Sequence, residues 1–538
     1  MRKISQKSSK KRSELHNPFF LPDAAEMAAY DQYTISSGID SLDLMESAAR
    51  GMYRVIKSRY ISGKKPKQVT ILCGSGNNGG DGLVLSRLLK NEVRKVNVLC
   101  CTAKKYSTEF IKQAARLKKK GLVLHIFGPL PDRPPGFPVR RASVKEATSF
   151  IQNSQIVVDA LLGTGQRDAP RGEVAKLIKL LNKAKNGLQS IISLDVPSGI
   201  NASSGAIYSP HIEADLTVTV EFVKRGMLQY PARSACGRIE VISAGIKANK
   251  AAQYTMLTPQ TLPKLPPRAM SSHKNNFGKV LVMGGSSEYP GAPVLSAHAA
   301  LRSGAGTVTL ASPAEQSFYG LWPEIIRLPL SCDKGYFSQE DLKEIQAKLN
   351  LYDVFVLGPG MGQKMETSLF FAEILAILKK SNKTVILDAD GLNLLAAESK
   401  RGIKLKNFIL TPHAGELSRL LSCNKKIIDQ DRYKAARNLW EKYDSVSLLK
   451  GALSIIYKNK QGFVNTSGNP FMATAGSGDV LCGIIAAFCA QKLDNFNAAK
   501  LGAYVHGKSA DIARQGGMST LVASDIINFL PQALSDFI

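Results

Sequence analysis

From Val69 onward, short apolar runs rich in β-branched residues alternate with helix-length amphipathic stretches: VTILC, LVLSRLLK, KVNVLC, STEFIKQAARLKKK, IVVDALL, EVAKLIKLLNKA, IISLDV, DLTVTVEF and GRIEVISAG. That rhythm predicts a parallel sheet flanked by helices. Ahead of it, AAEMAAYDQYTISSGIDSLDLMESAARGMYRVI predicts two helices broken around Ser36 to Gly38. Between Ile246 and Lys279 the pattern lapses into PQTLPKLPPRAMSSHKNNFG, where prolines remove backbone donors and disfavour both helix and central strand. A second α/β series follows, from KVLVMGG and TVTLASP through YDVFVLGPGMG, TVILDADGLNLLA, FILTPHAGELSRLL and SVSLLKGALSIIY to MATAGSGDVLCGIIAAF. Its runs end in glycine-rich or polar turns, which places candidate chemistry at the carboxyl ends of strands. The predicted organisation is a basic tail over 1–20, an α/β domain over 21–247, a proline-rich lead-in over 248–276 and a second α/β domain over 277–538.

Length agrees with two domains, since 538 residues exceed one ordinary core. With 44% hydrophobic and 21% charged residues the chain is expected to be globular. Its longest apolar stretches, such as VLCGIIAAFCA, fall short of the roughly 20 residues of a membrane span, so no membrane partner is expected. The net charge of +28 admits a nucleic acid, an anionic substrate or only a basic solvated surface. Part of it sits in MRKISQKSSKKR, which lacks the apolar core of a secretory signal and reads as a flexible tail. The eight cysteines form no C-x-x-C pair and no zinc-spaced cluster, so buried thiols in a reducing, cytoplasmic setting are expected.

The stretch CGSGNNGGDG carries the first chemistry, with Gly74, Gly76 and Gly79 matching G-x-G-x-x-G between a strand and a helix. A dinucleotide fingerprint would place an acid on the ribose about 20 residues later. Here KVNVLC runs into CTAKK instead. Glycines let backbone amides approach an anion, and the helix that follows adds its dipole. Two further loops converge at later strand ends: VVDALLGTGQRDAP with Asp159, and SLDVPSG with Asp195 and Ser198. Asn78, Asp159 and Ser198 offer hard oxygen ligands with little formal charge, a set suited to a monovalent cation. Singly, the glycines could form only a tight turn and Ser198 only a helix cap. At successive strand ends the three loops favour a site.

Together GNNGGDG, VVDALLGTG and LDVPSG resemble the YjeF N-terminal family of NAD(P)H-hydrate epimerases, over roughly 22–246. The resemblance implies a Rossmann-like three-layer αβα sandwich. It further implies a hydrated-nucleotide site built from Asn77, Asn78, Gly79, Gly80 and Asp81, from Gly163, Thr164, Gly165, Gln166, Arg167, Asp168 and Ala169, and from Asp195. Potassium at Asn78, Asp159 and Ser198 is implied as well, with Asp195 as proton shuttle for epimerisation at C6 of the damaged ring. Two segments, EFVKRG and VISAGI, depart from the family pattern at the expected far wall of the pocket.

In the second half, NTSGNPFMATAGSGDVLCG is the strongest signal. Ala475 to Gly478 are expected to present N–H groups at a helix start as an anion hole for a phosphoryl group, with Asp479 as base. The plain alternative is a turn with a capping aspartate. No Walker A sequence is present. A lone histidine such as His413 is more commonly a core residue, and Lys450 alone could be a solvated cation. Their places in TPHAGE and LLKGA, at strand ends, favour function.

The ordered set HKNNFGKVLVMGGS, GAPVLSAHAALRSGAG, LGPGMG, LDADGLNLL, TPHAGE, LLKGA and ATAGSGD resembles the NAD(P)H-hydrate dehydratases, which have a ribokinase-like αβα fold. That resemblance implies that Ala292, Gly362, His413 and Asp479 contact the hydrate, while Lys450, Gly451, Ala452, Leu453, Ser454 and Gly478 bind ADP or ATP. With magnesium, the C6 hydroxyl would be phosphorylated as Asp479 takes its proton, and phosphate would then leave. The combined expectation is a repair enzyme that epimerises the R and S hydrates of NADH and NADPH and dehydrates the S form. A homo-oligomer is expected and nucleic acid is not. Two other readings are a ribokinase-type small-molecule kinase with an accessory domain, and a non-catalytic RNA-associated YjeF-like scaffold. TPHAGE and LDADGLNLL argue against the first; the intact NNGGDG, Asp159 and Asp195 argue against the second.

Overall fold

The computed structural model describes residues 17–62, 66–130, 139–314, 322–330, 334–398 and 402–538. Most of the expected basic tail lies outside the described residues. The chain divides between Ala252 and Gln253 into two compact units.

The first unit holds strands β1 (Gln68–Cys73), β2 (Lys95–Cys101), β3 (Leu124–Phe127), β4 (Val139–Ala142), β5 (Ile156–Ala160), β6 (Ser190–Leu194), β7 (Leu216–Val220) and β8 (Arg238–Ile242). They form one parallel sheet in the order β4-β3-β2-β1-β5-β6-β7-β8. Strand β1 is apolar on both faces: Val69, Ile71 and Cys73 pack with Met52, Leu83 and Phe110, while Leu72 packs with Leu99, Val157 and Leu177. Burial on both sides is why these strands read as continuous apolar runs. Helices Ser41–Ile56, Asn77–Leu89 and Thr108–Lys119 cover one face, and Val144–Gln152 and Gly172–Ala184 the other, giving three αβα layers. Chain order reverses across β1, which pairs with β2 on one side and β5 on the other. The glycine-rich loop after β1 therefore opens at a topological switch point, where ligands of such sheets bind.

The second unit holds β9 (Tyr254–Leu257), β10 (Lys279–Met283), β11 (Thr307–Ser312), β12 (Ile326–Pro329), β13 (Val354–Leu357), β14 (Thr384–Leu387), β15 (Phe408–Leu410), β16 (Val446–Leu449), β17 (Ile455–Lys458) and β18 (Gln461–Asn465). Their order is β12-β11-β10-β13-β14-β15-β16-β17-β18-β9, with β16-β17 and β17-β18 antiparallel and the other pairs parallel. Strand β9 falls inside the stretch that sequence assigns to a proline-rich lead-in. It is a short edge strand, and YTML carries too few residues for a periodic signal before Pro259.

The apolar run VLCGIIAAFCA lies in helix Ser477–Ala490, with Val480 through Ala490 all buried. It packs against helix Gly291–Arg302 so closely that a Cβ at Gly483 would lie 2.1 Å from the Ser296 carbonyl oxygen. No helix among the described residues is long and apolar enough to cross a membrane. Cys73, Cys100, Cys101, Cys236, Cys482 and Cys489 are buried free thiols.

Candidate active sites

The first unit encloses a cavity of about 580 Å³ at the ends of β1, β5 and β6. Asn77, Asn78, Asp81, Gly163, Thr164, Gly165, Gln166 and Asp195 line it. Gly79 and Gly80 are buried behind this surface. A Cβ at Gly79 would lie 2.0 Å from the Gly74 carbonyl oxygen, and one at Gly80 would meet the Met45 thioether at 2.8 Å. Loop closure thus demands glycine at 79, against backbone, while at 80 the end of the Met45 side chain could shift aside, and Gly76 and Gly165 face open space. Arg167, Asp168 and Ala169 lie off the cavity. The backbone there is tied down by Tyr208, whose hydroxyl donates to the Arg167 carbonyl at 2.5 Å, and by the Gln166 amide, which donates to the Asp168 carbonyl at 3.0 Å.

Asn78, Asp159 and Ser198 meet at the turn after β5. Asn78 Nδ2 donates to the Leu162 carbonyl at 2.8 Å, and the Leu162 N–H donates to Ser198 Oγ at 2.9 Å. The fully buried Asp159 accepts from Ser198 Oγ at 2.7 Å, Ser198 N at 2.8 Å, Ser193 Oγ at 2.9 Å and Leu161 N at 3.1 Å. Burial raises its pKa against the pull of these bonds. Asn78 Oδ1 is buried with no hydrogen-bond partner. Of the three, Asn78 keeps the unpartnered oxygen, a neutral ligand of the kind a monovalent cation takes, while the Asp159 and Ser198 oxygens are held by the bonds above.

Asp195 caps the end of β6 with φ +64, a left-handed backbone that a non-glycine residue adopts only under constraint. Its Oδ1 accepts from Thr219 Oγ1 and Val220 N, both at 3.2 Å, and from Lys224 Nζ. The Lys224 side chain is fully buried, and its remaining donors reach Thr219 Oγ1 at 2.8 Å and the Val220 carbonyl at 3.0 Å. Sequence reasoning missed Lys224, which belongs to the departing segment EFVKRG. It also missed Asp31 and Glu109, which add carboxylates to the cavity wall. Burial, reinforced by the nearby Asp195 charge, raises the Asp31 pKa to about 6.

Glu221, the first residue of EFVKRG, sits at φ +59 and is buried. Its Oε2 accepts the consecutive N–H groups of Ala244, Gly245 and Ile246 at 2.9, 3.0 and 3.1 Å, and Ser243 Oγ donates to Oε1 at 2.9 Å. Ala244 and Ile246 line the cavity. The two departing segments therefore build the far wall together, one supplying the anion and the other the donors that bind it.

In the second unit Ala292, Gly362, His413 and Asp479 converge on a cavity of about 480 Å³ with Asp390, Glu416 and Arg419. Asp479 is not a cap: Gly476, at φ +82, precedes helix Ser477–Ala490, and Asp479 is its third residue. The helix start leaves N–H groups free for an anion. Burial, then the Asp388 charge, lifts the Asp479 pKa to about 7. Lys450 does not project freely into this space. Its ammonium lies 2.6 Å from the buried Asp388 and 3.9 Å from Glu416, and these carboxylates raise its pKa although burial alone would lower it. Gly478 stands over the pair, its missing Cβ 3.2 Å from Lys450 Nζ. Gly451, Ala452, Leu453 and Ser454 form the turn into β17, with Gly451 at φ +138, Leu453 at φ +56 and Ser454 Oγ donating to the Gly451 carbonyl at 2.9 Å. Behind the helix start, buried His506 places Nε2 3.2 Å from Ser477 Oγ and is held neutral, its pKa lowered by burial to about 4.

Residues 280–532 match the family described as NAD(P)H-hydrate dehydratase, and residues 41–226 match the one described as YjeF-related protein N-terminus. A bifunctional NAD(P)H-hydrate repair enzyme of Moorella thermoacetica is 35% identical over 96% of this chain and 96% of its own length. The chain belongs to the bifunctional NAD(P)H-hydrate repair enzymes. Another member, from Escherichia coli, is 32% identical over 93% of this chain and 90% of its own. An ADP/ATP-dependent NAD(P)H-hydrate dehydratase from Bacillus subtilis, crystallised with ATP and Mg2+, is similar at 25% identity over 53% of this chain and 98% of its own, with a TM-score of 0.46. Against this background the second unit corresponds to the repair enzymes' dehydratase part and the first to their YjeF-related part.

Proposed function

We propose that the first unit interconverts the R and S hydrates of NADH and NADPH at C6, and that the second returns the S hydrate to the dihydronicotinamide with ADP or ATP as phosphoryl donor. The observation that carries this reading is a pair of separate cavities, each with a carboxylate held at a strand or helix end: Asp195 bound by Lys224, and Asp479 at an open helix start.

In the first cavity, Asn77, Asn78 and Asp81 with Gly163 to Gln166 would hold the hydrated nucleotide. Lys224 keeps Asp195 oriented for proton transfer, because an ammonium with three fixed acceptors cannot turn away. Asn78, Asp159 and Ser198 would hold potassium, which when bound would supply positive charge beside the nucleotide. In the second cavity, Ala292, Gly362 and His413 would hold the hydrate, with Lys450 to Ser454 and Gly478 toward the adenine nucleotide. Magnesium would arrive on the nucleotide's phosphates. Hydroxide is a poor leaving group and phosphate a good one. Asp479 takes the C6 hydroxyl proton while the helix N–H groups receive the phosphoryl charge.

The test mixes the protein with both epimers of hydrated NADPH, ADP or ATP, magnesium and potassium, and follows dihydronicotinamide absorbance. Complete return of both epimers that needs the nucleotide is expected. A stable phosphorylated product in place of return would favour the small-molecule kinase reading.

A further inference from the structure

Returning a C6 hydrate to the dihydronicotinamide removes an oxygen at C6 and also a hydrogen at C5, so the second cavity has a C5 proton to place as well as the hydroxyl's, and a base set at C5 would take it. We propose that Glu416 is that base, taking the C5 proton after phosphate has left; this rests on the phosphoryl-transfer reading above.

The step releases two protons, one from the C6 hydroxyl and one from C5. As the donor's terminal phosphoryl group passes to the C6 oxygen, the hydroxyl proton goes to Asp479. The C6–O bond then breaks with its electron pair leaving on phosphate, and the N1 lone pair forms an N1=C6 iminium. Finally the C5–H bond breaks, its pair forms C5=C6, N1 recovers its own pair and the proton passes to Glu416, while the leaving phosphate, a stronger base than either carboxylate, takes up the proton held by Asp479.

The other basic groups of the cavity are engaged. Asp390 accepts from Gly362 N at 2.9 Å on one oxygen and from Gln363 Nε2 at 2.8 Å on the other. His413 Nδ1 accepts the N–H groups of Gly415 at 3.0 Å and Glu416 at 3.1 Å. Those two bonds put the ring proton on Nε2 and leave His413 a donor. Glu288 is exposed to solvent at the rim.

Glu416 is 6% exposed and still lines the cavity. Its Oε2 accepts the His413 N–H at 2.7 Å in a capping box, 3.9 Å from Lys450 Nζ. Its Oε1 lies 3.4 Å from the His413 ring Nε2. Burial outweighs Lys450 and, with Asp388, brings its pKa to about 7, suited to taking and releasing a proton near neutrality. The titratable groups around the cavity are Glu288, Asp388, Asp390, His413, Arg419, Lys450 and Asp479.

A purely structural role would be the helix cap, and Glu416→Gln preserves it because glutamine serves a capping box equally well. The full-length variant is given ATP and the hydrate, prepared in light or heavy water so that C5 carries hydrogen or deuterium. Without the base, the iminium takes water back at C6 and nucleotide is consumed without repair. Thermal melting is expected to be unchanged and nucleotide consumption to continue, while dihydronicotinamide return falls by about two orders of magnitude, the scale of a positioned base. The C5 isotope effect on return should rise above the parent's, and Glu416→Asp, which keeps a carboxylate, should restore part of the coupling. Return at the parental rate with the parental isotope effect would overturn the assignment, as would equal loss of nucleotide consumption and return in both folded variants. Return by the parent without any nucleotide would instead overturn the phosphoryl-transfer reading beneath it.

Discussion

At the scale of single residues, Asp479 was legible in ATAGSGD because the glycines announce a helix start open to an anion. Asp479→Asn should lower nucleotide-dependent return by about two to four orders of magnitude with little change in folding. The pKa near 7 sets the sign of the pH dependence: the base is protonated and idle below it, so return should climb as pH rises through about 7, and a flat profile there would contradict the role. Asn78, Asp159 and Ser198 each stand in their own motif in the sequence, but that they meet at one turn and that Asn78 Oδ1 is left unpartnered needed the structure. Epimerisation should slow when sodium replaces potassium, and Asp159→Ala should abolish both that dependence and most of the rate; equal rates in the two salts would exclude a cation there. Lys224 was not legible. A lysine between Val223 and Arg225 reads as a solvated charge, and only the turn after β7 brings it under Asp195. Lys224→Met should destabilise the first unit by about 3–5 kcal/mol, the cost of leaving one partner of a buried pair alone, and suppress epimerisation. Calorimetry and an epimer assay on the same sample check both.

At the scale of elements, the alternation of apolar runs and amphipathic stretches predicts the parallel strands and their helices, because burial on both faces writes itself into composition. What escapes that signal is short or held by side chains. Strand β9 has too few residues for a period, and the wall at 243–246 exists because one carboxylate gathers three successive N–H groups. Glu221→Ala should strand those donors, destabilise the first unit by about 1–3 kcal/mol and raise the KM of epimerisation. Glu221→Gly would relieve the positive φ yet lose the same anion, so it should not restore the wall. Denaturant melts with KM measured on the folded fraction separate the two effects, and a stable Glu221→Gly with parental KM would show that the clamp is idle.

At the scale of the whole molecule, the two units have separate sheets and separate cavities, with Asp195 in one and Asp479 in the other. Chemical hydration makes both C6 epimers, and a dehydrating site that accepts one of them leaves the other stranded unless a second site converts it. The central claim is this division of labour, and the direct measurement is a chiral separation of both hydrate epimers over time for Asp195→Asn and Asp479→Asn, with and without nucleotide. Asp195→Asn should consume the S epimer with nucleotide and strand the R epimer, while Asp479→Asn should keep interconverting the two and return neither. Loss of interconversion in Asp479→Asn, or clearance of both epimers by Asp195→Asn faster than they interconvert unaided, would contradict it.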